Sequence, residues 1–150
     1  MRAAIQRVEK ASVVIFEKEI AKIEQGLLVL LGIEIEDTKE DALWLASKIA
    51  SLRIFLDEKG VMNKSITESG GEIIVVSQFT LHAKTKKGNR PSYIKAARPE
   101  QAIPLYEHFK EDLALAIGKQ VQSGEFGADM KVNLINDGPV TILIDTKNKE

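Results

Sequence analysis

Residues 72–82 read EIIVVSQFTLH. The first half, Ile73–Val76, is an unbroken β-branched run, the composition of a strand buried on both faces. Three hydrogen-bonding side chains, Ser77, Gln78 and Thr80, then interrupt the run where apolar ones would pack better. A polar group buried without a partner costs about 1–3 kcal/mol. These three are therefore expected either to satisfy nearby backbone groups at a strand end or to form a binding floor.

A second continuous apolar run, GLLVLLGI at residues 26–33, follows a glycine and has strand length, so it reads as a central strand. Upstream, MRAAIQRV and ASVVIFEKEIAKIEQ carry short alternating or β-branched stretches that predict two or three opening strands. The period changes at DTKEDALWLASKIASLRIF. Asp37 or Thr38 can cap a helix there, Glu40 and Asp41 suit its first turn, and Ala42, Leu45, Ala46 and Ile49 form its buried stripe. Trp44 lies off that stripe and is placed at an edge of the core. FLDEKGVMN reads as strand, turn, strand, and a glycine-rich turn precedes Glu72.

A second helix is predicted from Pro99 to Ile117, stopped by Gly118, with Ala102, Leu105, Phe109, Leu113 and Ala116 buried. Pro104 inside it marks a later start or a kink. QVQSGEF, KVNLIND and VTILIDT are three further strand candidates. Many strands with two segregated helices predict one α+β domain over residues 1–150, with a mixed or antiparallel sheet.

Composition bounds the function. The 150 residues carry 21 basic and 22 acidic side chains, so a polyanionic partner must be met by a local patch. There is no cysteine and there are only two histidines, His82 and His108, so thiolate chemistry is excluded and a histidine-rich metal site is not expected. The N-terminal MRAAIQRVEK has no apolar core of a targeting segment, and LLVLLGI is too short to span a bilayer. A cytoplasmic protein with no membrane partner is the expectation.

Four stretches could carry chemistry. If SQFTLH continued as a regular strand, Gln78, Thr80 and His82 would share one face, and Ser77 and Phe79 the other. Thr80 could then attack with His82 as its base, although no third residue orients that histidine. From Lys84 to Arg98 there are six positive charges (Lys84, Lys86, Lys87, Arg90, Lys95 and Arg98) and no acid. That segment is either a solvated loop or a phosphate-gripping one, and Tyr93 adds a ring able to stack on a base. In NDGPVTILID, residues 136–139 form a turn between apolar runs. In SGEFGADMKV, Phe126 and Met130 either fill the core or wall a pocket. Walker and dinucleotide-binding signatures are absent.

Taken together, SQFTL (77–81), TKKGNRPS (85–92), FGADMKV (126–132) and NDGPVT (136–141), in this order, resemble the D-aminoacyl-tRNA deacylases of the D-tyrosyl-tRNA(Tyr) deacylase type. MRAAIQRV, ASV, GLLVLLG, LRIF and GGEIIVVSQFTL extend the likeness along nearly the whole chain. FEKEIAKIEQ departs from it, with other residues where the family usually has hairpin glycines.

The resemblance implies a barrel-like sheet and a homodimeric esterase without cofactor or metal, acting on D-amino acids or glycine attached to tRNA. It implies that Ser77, Gln78, Phe79 and Thr80 line the catalytic pocket and that Phe126, with Met130 nearby, lies close to the terminal adenosine. It implies that Gly138 and Pro139, joined by a cis peptide, enter the partner's pocket as a chiral gate, and that Lys84, Lys86, Lys87, Arg90 and Lys95 meet the tRNA. The family commonly lacks a histidine at position 82, which argues against a Thr80–His82 pair. The tRNA's terminal 2′-hydroxyl is the expected aid to water attack.

Overall fold

The computed structural model describes residues 1–150. The opening stretch forms one strand, β1 (Arg2–Ile15), followed by β2 (Lys18–Ile23) and β3 (Gly26–Gly32). β2 and β3 run in succession antiparallel to β1, with Ala11 opposite Ile23 and Val8 opposite Gly26. The β1–β2 turn places Phe16 and Glu17 at φ 47° and 63°. Two-residue hairpin turns with both φ positive favour glycine or asparagine, so Phe16 and Glu17 hold this turn at a steric cost of about 1–2 kcal/mol per residue.

After helix α1 (Lys39–Ser51) come the short pair β4 (Phe55–Leu56) and β5 (Met62–Lys64), the single turn α2 (Ile66–Ser69), and β6 (Glu72–Ser77). β6 lies parallel to β3, and Gly26 permits the approach: a Cβ there would fall 1.8 Å from the Glu72 carbonyl oxygen. Helix α3 (Pro99–Ile117) leads to β7 (Gln122–Ser123), parallel to β6, and to β8 (Lys131–Asp145), antiparallel to β1 on its other edge. The sheet thus runs β8, β1, β2 with β3, β6, β7. It curls until the Gln122 side chain bonds both the N–H and the carbonyl of Lys22, at 2.8 and 2.6 Å, which nearly closes a barrel.

Both long helices cover one face of the sheet. Asp41 Oδ2 accepts from the Thr38 N–H at 2.9 Å and caps α1, whose buried stripe is Ala42, Leu45, Ala46, Ile49 and Ala50. Along α3 the buried residues are Ala102, Leu105, Tyr106, Phe109, Leu113 and Ile117. Ala116, expected inside, is exposed, because 3.6-residue periodicity carries the stripe from Leu113 to Ile117. Pro104 stays within the helix near its start, where one carbonyl forgoes its partner. Trp44 packs at the edge of this core. A smaller cluster, including Val8, Val13, Ile23, Leu28, Ile74 and Val76, fills the inside of the curl. No helix is long and apolar enough to cross a membrane.

Two further expectations change. KVNLIND and VTILIDT are one strand, β8, and the Asn-Asp-Gly-Pro stretch is a bulge within it. SQFTLH does not continue as a strand: Phe79–His82 form a 3₁₀ turn.

Candidate active site

β6 ends at Ser77, opposite Leu31. The Gln78 N–H makes one more bond to the Leu31 carbonyl, at 2.7 Å, and then β3 ends at Gly32, the next carbonyl, that of Ile33, being taken by the Ala97 N–H at 2.9 Å. The chain tightens into the 3₁₀ turn, with Leu81 N–H donating to Gln78 O at 3.2 Å and Ala83 N–H to Thr80 O at 3.0 Å. The first N–H groups of such a turn, those of Phe79 and Thr80, have no acceptor inside it. They are available to an oxygen arriving from outside.

The turn also rearranges the side chains. Gln78 Nε2 donates to Thr80 Oγ1 at 2.5 Å, tying the amide and hydroxyl together at the mouth of the turn. His82 is buried, with its Cδ2 edge towards Gly32, and neither ring nitrogen has a hydrogen-bond partner. A Thr80–His82 catalytic pair therefore does not exist. Phe79 is half-exposed and meets Tyr93 edge-to-face, with ring centroids 5.0 Å apart at 72°. That contact joins the turn to the basic segment.

Lys84 and Ser92 exchange both backbone hydrogen bonds, at 2.8 and 3.0 Å, which closes residues 85–91 into a loop. Gly88, at φ 68°, turns its tip. All six cations from Lys84 to Arg98 are exposed, and none is ion-paired with an acid. Their field is uncompensated along one rim of the turn.

Phe126 and Met130 each pack on a core. Phe126 meets Tyr106 edge-to-face at 5.7 Å, and the Tyr106 hydroxyl donates to the Val75 carbonyl at 2.9 Å, with burial pushing its phenol upward. Met130 lies against Gly124, where an added Cβ would come within 2.4 Å of its sulfur, and against the small cluster inside the curl. Lys110 Nζ, 3.2 Å from Ser123 Oγ, also lies over the Tyr106 ring.

Gly138 and Pro139 are joined by a cis peptide, as the resemblance implied. They sit where the β1–β8 ladder breaks, between the Gln6–Thr141 and Val8–Asn136 pairs, so residues 137–140 oppose Arg7 alone. Gln6 Oε1 closes the neck of this bulge by accepting from Asn136 Nδ2 at 2.7 Å and from Thr141 Oγ1 at 2.5 Å. Arg7 is buried; its Nε donates to the Asp137 carbonyl at 3.0 Å and its Nη1 to the Ile54 carbonyl at 2.6 Å. Gly138 adopts φ 129° and, with Pro139, is exposed. Gln6 and Arg7 were not singled out from the sequence. The available signal was an arginine at an inward position of a strand, since Ala3, Ile5 and Arg7 alternate into the interior.

The 3₁₀ turn, at the end of β6, and the bulge, midway along β8, lie well apart on the sheet. Arg7 is level with Leu27, Leu27 is level with Ile73, and Ser77 is four residues farther along β6. That is about 13 Å along the strands, and the three steps from β8 to β6 add about 14 Å across them.

The family model for D-Tyr-tRNA(Tyr) deacylase matches residues 4–145. A D-aminoacyl-tRNA deacylase of Bacteroides fragilis (strain YCH46) is 65% identical over 150 residues, covering 100% of both chains. One of Parabacteroides distasonis is 64% identical over the same span. Among solved structures, one titled c-Myc DNA Unwinding Element Binding Protein superposes with a TM-score of 0.92 at 42% identity, covering 97% of this chain and 98% of that one. A probable eukaryotic D-amino acid tRNA deacylase shares the fold with a TM-score of 0.82 at 17% identity, over 95% and 97% of the two chains. By sequence and by fold alike, the chain belongs to the D-Tyr-tRNA(Tyr) deacylase family.

Proposed function

We propose that the protein hydrolyses the ester joining a D-amino acid, or glycine, to the 3′ end of a tRNA, and that each site is completed by a second copy of the chain. The observation that carries this reading is the separation of the Ser77–Thr80 turn from the Gly138–Pro139 bulge, each built for close approach to something outside its own chain. The full-length likeness to proteins called D-aminoacyl-tRNA deacylase supplies the substrate class.

The turn offers what ester hydrolysis needs from a protein. Water adds to the ester carbonyl, whose oxygen gains negative charge and is held by the N–H groups of Phe79 and Thr80. The carbon–oxygen bond to the ribose then breaks, and the ribose oxygen takes up the proton that the water gives up. His82 is sealed away and Thr80 accepts from Gln78, which supports the reading that the substrate's own vicinal 2′-hydroxyl relays that proton. Ser77 and Gln78 line the pocket beside it. Phe126 and Met130, braced by the two cores, form its far rim near the terminal adenosine.

Chirality is then a matter of rejection. A second copy's Gly138 and Pro139 carbonyls hold the substrate ammonium and occupy the space that an L-side chain would need. D-side chains point outward, and glycine passes because it has no Cβ. β8 supports the dimer: it pairs only with β1, leaves its other edge free, and exposes Leu134, Ile135 and Leu143. A long free edge carrying apolar side chains is unusual in a monomer.

The exposed cations Lys84, Lys86, Lys87, Arg90 and Lys95 grip acceptor-stem phosphates, and Tyr93 links their loop to Phe79. The work belongs to the cytoplasm, where charged tRNA is used. The direct test is release of free amino acid from matched D-, L- and glycyl-tRNA, with sedimentation of the free protein. Turnover of D and glycyl but not L substrates by a dimer is expected; equal D and L rates, or a monomer at full activity, would refute the reading.

A further inference from the structure

The 3₁₀ turn that presents the Phe79 and Thr80 N–H groups is held at only a few points. Its entry is tied by Gln78 N–H to the Leu31 carbonyl. Its exit is tied by a side chain from the first strand: Arg2 Nη1 donates to the Leu81 carbonyl at 3.0 Å. The same guanidinium donates through Nε to Asp145 Oδ2 at 2.8 Å, at the far end of β8. The ladder partner of Arg2 is Gly32. A Cβ on Gly32 would lie 3.0 Å from each of the Gln78 carbonyl oxygen, Leu81 Cβ and His82 Cδ2, so the turn rests directly on the glycine backbone. The flank beyond Leu81 has no packed support, because an open cavity of about 640 Å³, lined by Arg2, Trp44, Lys48, Leu81 and Leu143, lies there.

We infer that Arg2 and Gly32 are positioning residues for this turn: Gly32 sets how deep it sits, and Arg2, oriented by Asp145, fixes its exit. Neither touches the substrate. Both act through the Leu81 and Gln78 carbonyls on the direction of two N–H groups. Misplacing such donors by about 1 Å costs up to a hundredfold in rate. Asp145 lies on the strand that also carries Gly138 and Pro139, so the Arg2–Asp145 pair ties the gate strand to the chain's own turn. The inference rests on the turn being the catalytic element proposed above.

The test uses the full-length chain with Arg2→Ala, Arg2→Lys and Gly32→Ala. Arg2 is partly exposed and contributes to no core, so Arg2→Ala is expected to fold with a melting temperature close to that of the unaltered chain. Its kcat on D-aminoacyl-tRNA should fall roughly tenfold or more with KM nearly constant. Arg2→Lys, still able to reach one carbonyl, should recover most of the loss, and Gly32→Ala should lower kcat further. Amide hydrogen exchange reads the same claim without turnover: Leu81 and Ala83 should exchange about tenfold faster in Arg2→Ala, while the amides of β6 are unchanged. Unchanged exchange in the turn would overturn the inference even if the unaltered protein proved inactive, an outcome that would separately refute the proposed function. A kcat loss that Arg2→Lys does not restore, or one matched by a general fall in melting temperature, would also overturn it.

Discussion

Arg7 and Asp137 face each other where β8 leaves the ladder: the guanidinium Nε lies 3.0 Å from the Asp137 carbonyl oxygen and 3.2 Å from its Oδ2. The other end of the same side chain reaches the Ile54 carbonyl. One buried cation thus fastens the base of the Gly138–Pro139 bulge to the loop leading into β4. Arg7→Ala leaves two carbonyls without their donor and opens a space beneath Gly138. The loss is expected to be about 2–3 kcal/mol, since hydrogen bonds to charged groups are worth about 1.5–3 kcal/mol. In a chain of this size that lowers the melting temperature by about 4–12 °C. Arg7→Lys should recover part of the stability, having one donor head in place of two, but less of the D-over-L preference. Calorimetry and paired D/L assays measure the two effects.

Gly138 itself is constrained twice. At φ 129° a side chain is strained, and an added Cβ would lie 2.9 Å from Val140 Cγ2 and 3.0 Å from an Arg7 nitrogen. Gly138→Ala should therefore shift the bulge. Either slower D-aminoacyl-tRNA turnover or measurable L-aminoacyl-tRNA turnover is expected. A variant with the unaltered rate and the unaltered D/L ratio would count against the gate.

The cationic loop makes an ionic-strength prediction. Replacing Lys86 and Lys87 together by Glu reverses two exposed, unpaired charges and removes their two phosphate contacts. tRNA affinity should fall, and the slope of log affinity against log salt should shrink by about 1.4–1.8, corresponding to two phosphate contacts. Melting temperature should be unaffected. A filter-binding titration at four salt concentrations decides, and an unchanged slope means the loop is only solvated.

The substrate-assisted route and a threonine nucleophile part company in one pair of assays. With the terminal 2′-hydroxyl removed from a 3′-esterified tRNA, turnover should fall about a hundredfold or more at unchanged binding, the usual worth of a positioned proton relay. Thr80→Val should stay within about tenfold of the unaltered rate, whereas losing a nucleophile costs about 10⁴–10⁶. The opposite pattern would assign the attack to Thr80.

Much of this architecture is legible in the residues, because the relevant physics is local. β-branched and leucine runs mark β6 and β3, a 3.6-residue stripe and Thr38 mark α1, and Gly118 marks the end of α3. The 3₁₀ turn is not legible, since strand alternation in SQFTLH says nothing about where the neighbouring chain turns to another partner, as Ile33 does to Ala97. Nor is the continuity of β8. Asn136–Pro139 has the composition of a turn, and it becomes a bulge only because Gln6 and Arg7, 130 residues away along the chain, close its neck. The stretches that carry the family resemblance include Gly138 and Pro139, and MRAAIQRV includes Gln6 and Arg7, but nothing in that stretch says that these two side chains hold the bulge.

The cross-chain site can be tested by complementation. Take one variant with the gate disabled, such as Gly138→Trp, and another with the pocket disabled, such as Phe79→Pro, which would strain the start of the 3₁₀ turn at a residue the pocket needs. Each homodimer should be nearly inactive. When equal amounts are dissociated and reassembled, half of the dimers are mixed, and in each of those one intact turn receives one intact gate while the other site has neither. About a quarter of the unaltered activity should return, and it should select D over L esters normally. If turn and gate served the same chain, every chain in the mixture would still lack one of them and no activity would reappear. The separation across the sheet, about 13 Å along it and about 14 Å over it, makes the first outcome the expected one.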